Sequence, residues 1–228
     1  MKNSPIETII INPKNSAMPT ASIIWLHGLG ANAEDLAGLP KQLHLPDNLS
    51  IRHIFPNAPI RPVTFAQGMA VNAWFDIVDL SLEALQDEPG IRNTNDIIEQ
   101  LIENEIHKGI TSNRIFLAGF SQGGAMALYS GVRYHKPLAG ILALSSFIAL
   151  QDKLPYERSS ENQNTPILLT HGITDPLIPV RFSEHFYNYL TNLVYKVKWN
   201  VYNMAHEICP TEIADISQWI IKMLSENN

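Results

Sequence analysis

The chain has 228 residues, 45% hydrophobic and 17% charged, enough to bury a sizeable core and too apolar for intrinsic disorder. Sixteen Lys and Arg against 22 Asp and Glu give a net charge of −6. With no basic cluster, that balance excludes a general nucleic-acid binder, whose affinity comes from neutralising phosphates. The single Cys209 forms no internal disulfide and builds no multi-thiolate metal site, usage expected of a reducing compartment. The N-terminal apolar run Ile9-Ile10-Ile11 is too short for a secretion signal, and the longest apolar stretch, 139–150, is broken by Ser145 and Ser146, short of the ~20 residues of a membrane span. The expectation is one domain over residues 1–228, cytoplasmic and without integral membrane association.

In chain order, strands are predicted over 6–11, 22–26 and 50–55, followed by a stretch without regular pattern from Pro56 to Pro89. A helix is predicted over 93–108, where Ile97, Ile98, Leu101, Ile102 and Ile106 recur at helical spacing and Gly109 supplies the stop. Further strands fall at 114–119, 138–144, 167–171 and 195–202, and a last helix at 210–224 carries Ile213, Ile216, Ile220 and Leu224. The runs Ile23-Ile24-Trp25-Leu26 and Ile115-Phe116-Leu117-Ala118 are continuously apolar, as central strands covered on both faces require. Strands alternating with helices imply crossover connections, hence an α/β fold: a mostly parallel central sheet with helices on both faces. In such sheets ligands bind beyond the carboxyl ends of the strands, so the loops after the strands are where chemistry is expected.

One of those loops reads Gly119-Phe120-Ser121-Gln122-Gly123-Gly124 and runs into the apolar helical stretch Ala125-Met126-Ala127-Leu128. A G-x-S-x-G string is weak by chance alone. At a strand-to-helix junction it marks a sharp turn that holds the serine in a strained conformation, with the helix N-terminus aimed at a developing oxyanion. Ser121 is therefore the candidate nucleophile. A serine needs a base, and the base an orienting carboxylate. Two histidines follow Ser121 directly after a predicted strand, His171 and His206. His171 comes too early to have a post-strand acid between it and Ser121. His206 has one, Asp175, in the turn His171-Gly172-Ile173-Thr174-Asp175-Pro176. The order Ser121, Asp175, His206 is the one expected of such an enzyme. The second glycine-rich loop, His27-Gly28-Leu29-Gly30, follows an early strand and lets the backbone point inward. The amides of Leu29 and Gln122 are the candidate oxyanion donors. His27 is expected to brace its loop, Cys209 to pack at a helix start, and no histidine pair has metal-ligand spacing with a third ligand nearby.

These stretches, together with Phe55-Pro56-Asn57-Ala58-Pro59, Ala73-Trp74-Phe75-Asp76, Asp175-Pro176-Leu177-Ile178-Pro179 and Met204-Ala205-His206, resemble the phospholipase/carboxylesterase family of α/β-hydrolases, which includes acyl-protein thioesterases and small bacterial carboxylesterases. The resemblance runs through most of the chain. It implies an α/β-hydrolase fold without a large cap domain, Ser121, Asp175 and His206 as catalytic triad, and Leu29 and Gln122 as substrate-binding oxyanion donors. It also implies a shallow acyl groove near Leu29, Trp74 and Leu177. Three positions depart from the family: Ala31 where Asp is frequent, Ala205 where Gly is usual, and Glu207 where Ser is frequent, the last placing a carboxylate beside the base. The activity implied is hydrolysis of carboxylic esters with short or medium acyl chains, extending to thioesters and lysophospholipids, through an acyl-enzyme and with no cofactor or metal. Acyl-protein thioesterase or lysophospholipase chemistry as the main activity is the alternative. A non-catalytic binding protein of the same fold is weakened by the complete triad, and a peptidase by the lack of room for an added domain. The expected partner is a small-molecule ester or acyl substrate; a homodimer is compatible with the sequence.

Overall fold

In chain order the elements are β1 (Thr8–Ile11), β2 (Ala21–Leu26), α1 (Ala33–Ala37), α2 (Leu39–Gln42), β3 (Ile51–Pro56), β4 (Ile60–Val63), β5 (Met69–Asn72), α3 (Glu88–His107), β6 (Ile115–Phe120), α4 (Gln122–Gly131), β7 (Gly140–Leu144), α5 (Leu154–Glu157), β8 (Ile167–Gly172), α6 (Val180–Asn192), β9 (Val197–Tyr202) and α7 (Pro210–Glu226). They are seen in a computed structural model that describes residues 6–13, 18–46, 48–79 and 85–226. Seven strands form one sheet in the order β1-β3-β2-β6-β7-β8-β9. Every pairing is parallel except that of the edge strand β1 with β3. All seven predicted strands are present.

The sheet is buried because its strands alternate between two cores. Ile23 and Trp25 of β2 pack on one face with Phe116 of β6 and with Leu36, Ile213, Ile216 and Trp219 from α1 and α7. Ile24 and Leu26 point to the other face, against Ile98 and Ile102 of α3 and Ala125 and Met126 of α4. A third cluster, with Leu128 of α4 and Phe186 and Leu190 of α6, covers β7 and β8. Two covered faces explain why these strands read as unbroken apolar runs. Strand order reverses direction between β2 and β6, and the loops that follow these two strands carry Leu29 and Ser121. A sheet opens a crevice at such a point.

Two features differ from expectation. α3 begins at Glu88, five residues before the predicted start, with the Asp87 side chain accepting from the Gly90 amide at 2.9 Å. Its first turn contains Pro89 at N2 and Gly90 at N3, which read as a turn but fit a helix start, where a proline forfeits no intrahelical hydrogen bond. The stretch from Pro56 to Pro89 also contains the hairpin β4–β5, turned through Gln67 and Gly68 at φ of 56° and 80°. Its strands are four residues long and mostly exposed, so no burial pattern marks them. No helix stands between β3 and α3 among the described residues; residues 80–84 of that stretch lie outside them.

α3 is tied to the sheet by a buried carboxylate. Glu105 accepts from the Ser22 hydroxyl at 2.7 Å, from Arg52 at 3.0 Å and from Lys108 at 2.8 Å. Burial pushes its carboxyl up, but Lys108, Ser22 and Arg52 together hold it below the usual carboxylate range. A depressed value stabilises the fold above the unfolded-state pKa and loses that contribution as pH falls through the folded one. Glu105→Gln should therefore cost about 2–3 kcal/mol at neutral pH, and the gap to wild type should narrow in acid. Urea denaturation of both proteins at neutral and acidic pH measures this; a gap that stays constant with pH contradicts it.

Candidate active site

Ser121 is the single residue between β6 and α4, and its backbone sits at φ 53°, ψ −121°. This region costs a residue with a Cβ about 1–3 kcal/mol. It is held there by neighbours on three sides. Its amide donates to the Leu144 carbonyl at 2.8 Å, and its carbonyl accepts from the Ala125 amide at 3.0 Å and the Ser146 hydroxyl at 2.7 Å. The start of α4 is pressed so closely on β2 that a Cβ at Gly123 would lie 2.0 Å from the Leu26 carbonyl oxygen. The elbow expected from the glycines is thus present, strain included.

Asp175 and His206, 31 positions apart, meet across the loops that follow β8 and β9. Asp175 Oδ2 lies 2.7 Å from His206 Nδ1, and Asp175 Oδ1 accepts from the amides of Leu177 and Ile178, both at 2.9 Å. The Asp175 side chain is wholly buried, while that of His206 retains 13% exposure. The two loops are tied together because Thr174 donates to the Met204 carbonyl through its hydroxyl at 2.9 Å, and Ile173 donates to Tyr202 at 2.8 Å. On its other side the imidazole packs on Phe120, the neighbour of Ser121, with ring centroids 4.8 Å apart. Glu207 folds back so that its carboxylate accepts from the Ala205 amide at 3.3 Å.

The loop after β2 lies against Ser121: a Cβ at Gly28 would stand 3.4 Å from that of Ser121. Residues 28–31 form a turn in which the Ala31 amide donates to Gly28, and Gly30 adopts φ +75°. Gly30 and Ala31 use their amides, leaving that of Leu29 without an acceptor among the described residues. Gln122 is the first residue of α4, so its amide has no intrahelical acceptor either. His27 braces this loop, as expected. Its Nε2 accepts from the Ala58 amide at 3.0 Å, which leaves Nδ1 to donate to the Gly28 carbonyl at 2.8 Å. Burial pulls its pKa down, keeping this tautomer neutral.

The acyl groove is expected near Leu29, Trp74 and Leu177. Trp74 is buried beside an apolar cavity and does not line it. Its ring is 0% exposed because the indole N–H donates to the His27 carbonyl at 2.8 Å, placing the ring beneath the loop. Leu29 and Leu177 do not line the apolar cavity either. That cavity, open to solvent, is walled by Phe75, Ile77, Phe147, Ile178, Phe182 and Phe186. It adjoins the site on both sides, since the Phe75 carbonyl accepts from the Gln122 side chain at 2.7 Å and Ile178 donates to Asp175. Two contributions were not legible in the sequence. The Gln122 side chain, besides holding Phe75, accepts from the Trp74 amide at 2.9 Å. His171, set aside as a base, stands 3.4 Å from Asp175. No local pattern signals either, because both depend on contacts between distant segments. Among the described residues no group of three His, Cys, Asp or Glu could hold a metal ion.

Parallel sheet, serine elbow and acid–histidine pair define an α/β-hydrolase. The model of the phospholipase/carboxylesterase family matches residues 7–224, and the chain belongs to that family: it is an enzyme that hydrolyses carboxylic ester bonds. It is 34% identical to acyl-protein thioesterase 1 of Mycosarcoma maydis over 97% of this chain and 98% of that protein. With acyl-protein thioesterase 1 of Schizosaccharomyces pombe the identity is 40% over 82% of each. Among solved structures, acyl-protein thioesterase 2 of Zea mays superposes with a TM-score of 0.85 at 30% identity, over 96% of this chain and 99% of that one. SOBER1 of Arabidopsis thaliana superposes with a TM-score of 0.86 at 28% identity, over 90% and 99%.

Behind the His206 loop, in the first turn of α7, Glu212 is fully buried, and neither carboxyl oxygen completes a hydrogen bond among the described residues. Burial pushes its carboxyl up to about 7, with the nearby Thr170 hydroxyl and Cys209 amide offsetting only part of the effect. A raised folded-state value favours the fold below the unfolded-state pKa, and that advantage is lost as pH rises through about 7. Glu212→Gln should leave Tm nearly unchanged in acid and raise it relative to wild type at alkaline pH. Thermal melts across pH check this, and a Tm difference independent of pH would contradict it.

Proposed function

We propose that Ser121, Asp175 and His206 are the catalytic triad of this hydrolase, that the Leu29 and Gln122 amides are its oxyanion hole, and that its substrates are acyl esters and acyl thioesters, including those of acylated proteins. The observation that carries the assignment is the 2.7 Å contact between Asp175 and His206 Nδ1, which leaves Nε2 for the serine. Ser121 Oγ attacks the acyl carbon and its proton passes to His206 Nε2. Asp175 holds the tautomer and stabilises the imidazolium. The oxyanion is received by the two free amides, whose alignment needs no reorganisation because a turn and a helix start hold them. Collapse of the tetrahedral intermediate expels the alcohol or thiol, which takes the proton from His206. Water then repeats the sequence on the acyl-enzyme. The chemistry requires no cofactor, and we place the enzyme in the cytoplasm as one domain over 1–228.

The thioester reading is supported by the names of the relatives, acyl-protein thioesterases at 34% and 40% identity. The apolar cavity beside the site supports recognition of an acyl chain. Each methylene is worth up to ~0.8 kcal/mol while it can be buried, so chain-length preference follows how far that cavity extends.

Ser121→Ala should abolish labelling by a fluorophosphonate and lower kcat by about 10⁴-fold or more, and Asp175→Asn by roughly 10²–10⁴-fold. Asp152→Asn and Asp215→Asn should stay close to wild type. Turnover in the Ser121→Ala protein within tenfold of wild type, or damage by Asp152→Asn in place of Asp175→Asn, would contradict the assignment.

Initial rates on nitrophenyl esters from acetate to palmitate, beside an acyl thioester, test the substrate class. Short and medium chains should be preferred, with no jump in rate at the micellar threshold. A sharp jump there, or a preference for triglyceride emulsions, would mean that a lid governs access. Absence of thioester turnover would restrict the enzyme to oxygen esters.

A further inference from the structure

We propose that His171 is a positioning residue that locks the Asp175 carboxylate in the orientation His206 needs; the inference rests on the triad assigned above. His171 is the penultimate residue of β8, with its side chain fully buried. Its Nε2 lies 2.7 Å from the Ile178 carbonyl oxygen and 3.4 Å from Asp175 Oδ2. Both neighbours are acceptors, so Nε2 carries the ring proton. Nδ1 is buried and has no partner among the described residues. An unmet lone pair is tolerated there more readily than an unmet N–H. Burial also pulls the His171 pKa down, so the ring is a neutral donor with no free basic nitrogen facing the site.

The contacts close a loop. The Ile178 amide donates to Asp175 Oδ1, the Ile178 carbonyl accepts from His171, and His171 Nε2 faces Asp175 Oδ2. With Oδ1 held by two amides and Oδ2 by His206, the carboxylate cannot rotate about its Cβ–Cγ bond without losing partners on both oxygens. His171 supports this by donating its one N–H to the carbonyl of Ile178, whose amide holds Oδ1, and by packing its ring edge beside Oδ2. The remaining direction on Oδ2 is the one taken by His206 Nδ1 at 2.7 Å. A neutral imidazole supplies this alignment without introducing a cation that would compete with the His206 imidazolium for the same carboxylate.

The test compares His171→Phe, which keeps the ring volume and removes the donor, with His171→Gln, whose amide N–H reaches about the position of Nε2–H. kcat and KM are measured on nitrophenyl butyrate and expressed per site titrated by a fluorophosphonate, so that loss of folded protein does not count. His171→Phe should lower kcat by about 10–100-fold, a misalignment-sized effect, with KM within about twofold. His171→Gln should recover most of it. The low-field proton resonance of the His206 Nδ1–H should shift in the Phe variant and return in the Gln variant. In an Asp175→Asn background, His171→Phe should cost little more. Normal kcat per titrated site in His171→Phe, or equal losses in the Phe and Gln variants, overturns the inference while leaving the triad intact. If the Phe variant does not titrate, the Gln variant decides alone, since a kcat per site far below wild type there also overturns it. An Asp175→Asn protein with wild-type turnover would overturn the triad assignment, and this inference with it.

Discussion

Residue 121 must turn the chain from the carboxyl end of β6 straight into α4 while keeping its side chain at the surface of the crevice. That demands φ 53° at a residue with a Cβ, and the surroundings are organised to impose it. The 2.8 Å bond from the Ser121 amide to Leu144 fixes the turn to β7, and the Ser146 hydroxyl caps its carbonyl. Gly123 lets the first turn of α4 touch the end of β2. The same closeness brings the loop after β2 within contact of Ser121. One strained residue therefore sets the distance between the Ser121 side chain, the helix N-terminus and the loop that carries the Leu29 amide.

A polar network keeps those pieces in register. The Gln122 side chain bonds the Trp74 amide and the Phe75 carbonyl, the Trp74 indole bonds the His27 carbonyl, and the Thr94 hydroxyl donates to the Trp74 carbonyl. The His27 ring in turn bridges Gly28 and Ala58. Apart from the local His27–Gly28 contact, every link joins segments that are distant in sequence, and all are buried, where an unpaired polar group is expensive. The network thus couples the loop after β2 to the Phe75 wall of the apolar cavity, so the backbone beside Ser121 and that wall share one support.

On the opposite side, Asp175, the proposed acid, is held by backbone amides in its own turn, while His206, the proposed base, comes from the next loop along the sheet. Such a division suits a reaction in which the imidazole changes charge and the carboxylate does not. Asp175 is buried and fully satisfied, whereas His206 keeps partial exposure and leans on Phe120. The buried Glu212 behind this loop lacks comparable partners, and it is the neutral carboxyl form that the packing favours.

The amino-acid sequence alone determined the strands and their mostly parallel arrangement, and it singled out Ser121, Asp175 and His206 as the proposed triad, because those follow from local signals: unbroken β-rich runs, a glycine-flanked serine at a strand end, and an acid and a histidine in successive post-strand loops. Strand ends moved by a residue or two. The hairpin β4–β5 and the first turn of α3 were missed because short exposed strands and a Pro-Gly start carry no periodic burial. Tertiary structure alone decided that Trp74 lies beneath the loop after β2, that the apolar cavity is walled by Phe147, Phe182 and Phe186, and that His171 faces Asp175. Those facts depend on the direction each side chain takes across neighbouring strands and loops. That direction is set by which buried polar atoms must find a partner when segments tens of residues apart close on one another, and no local pattern in a single chain records it.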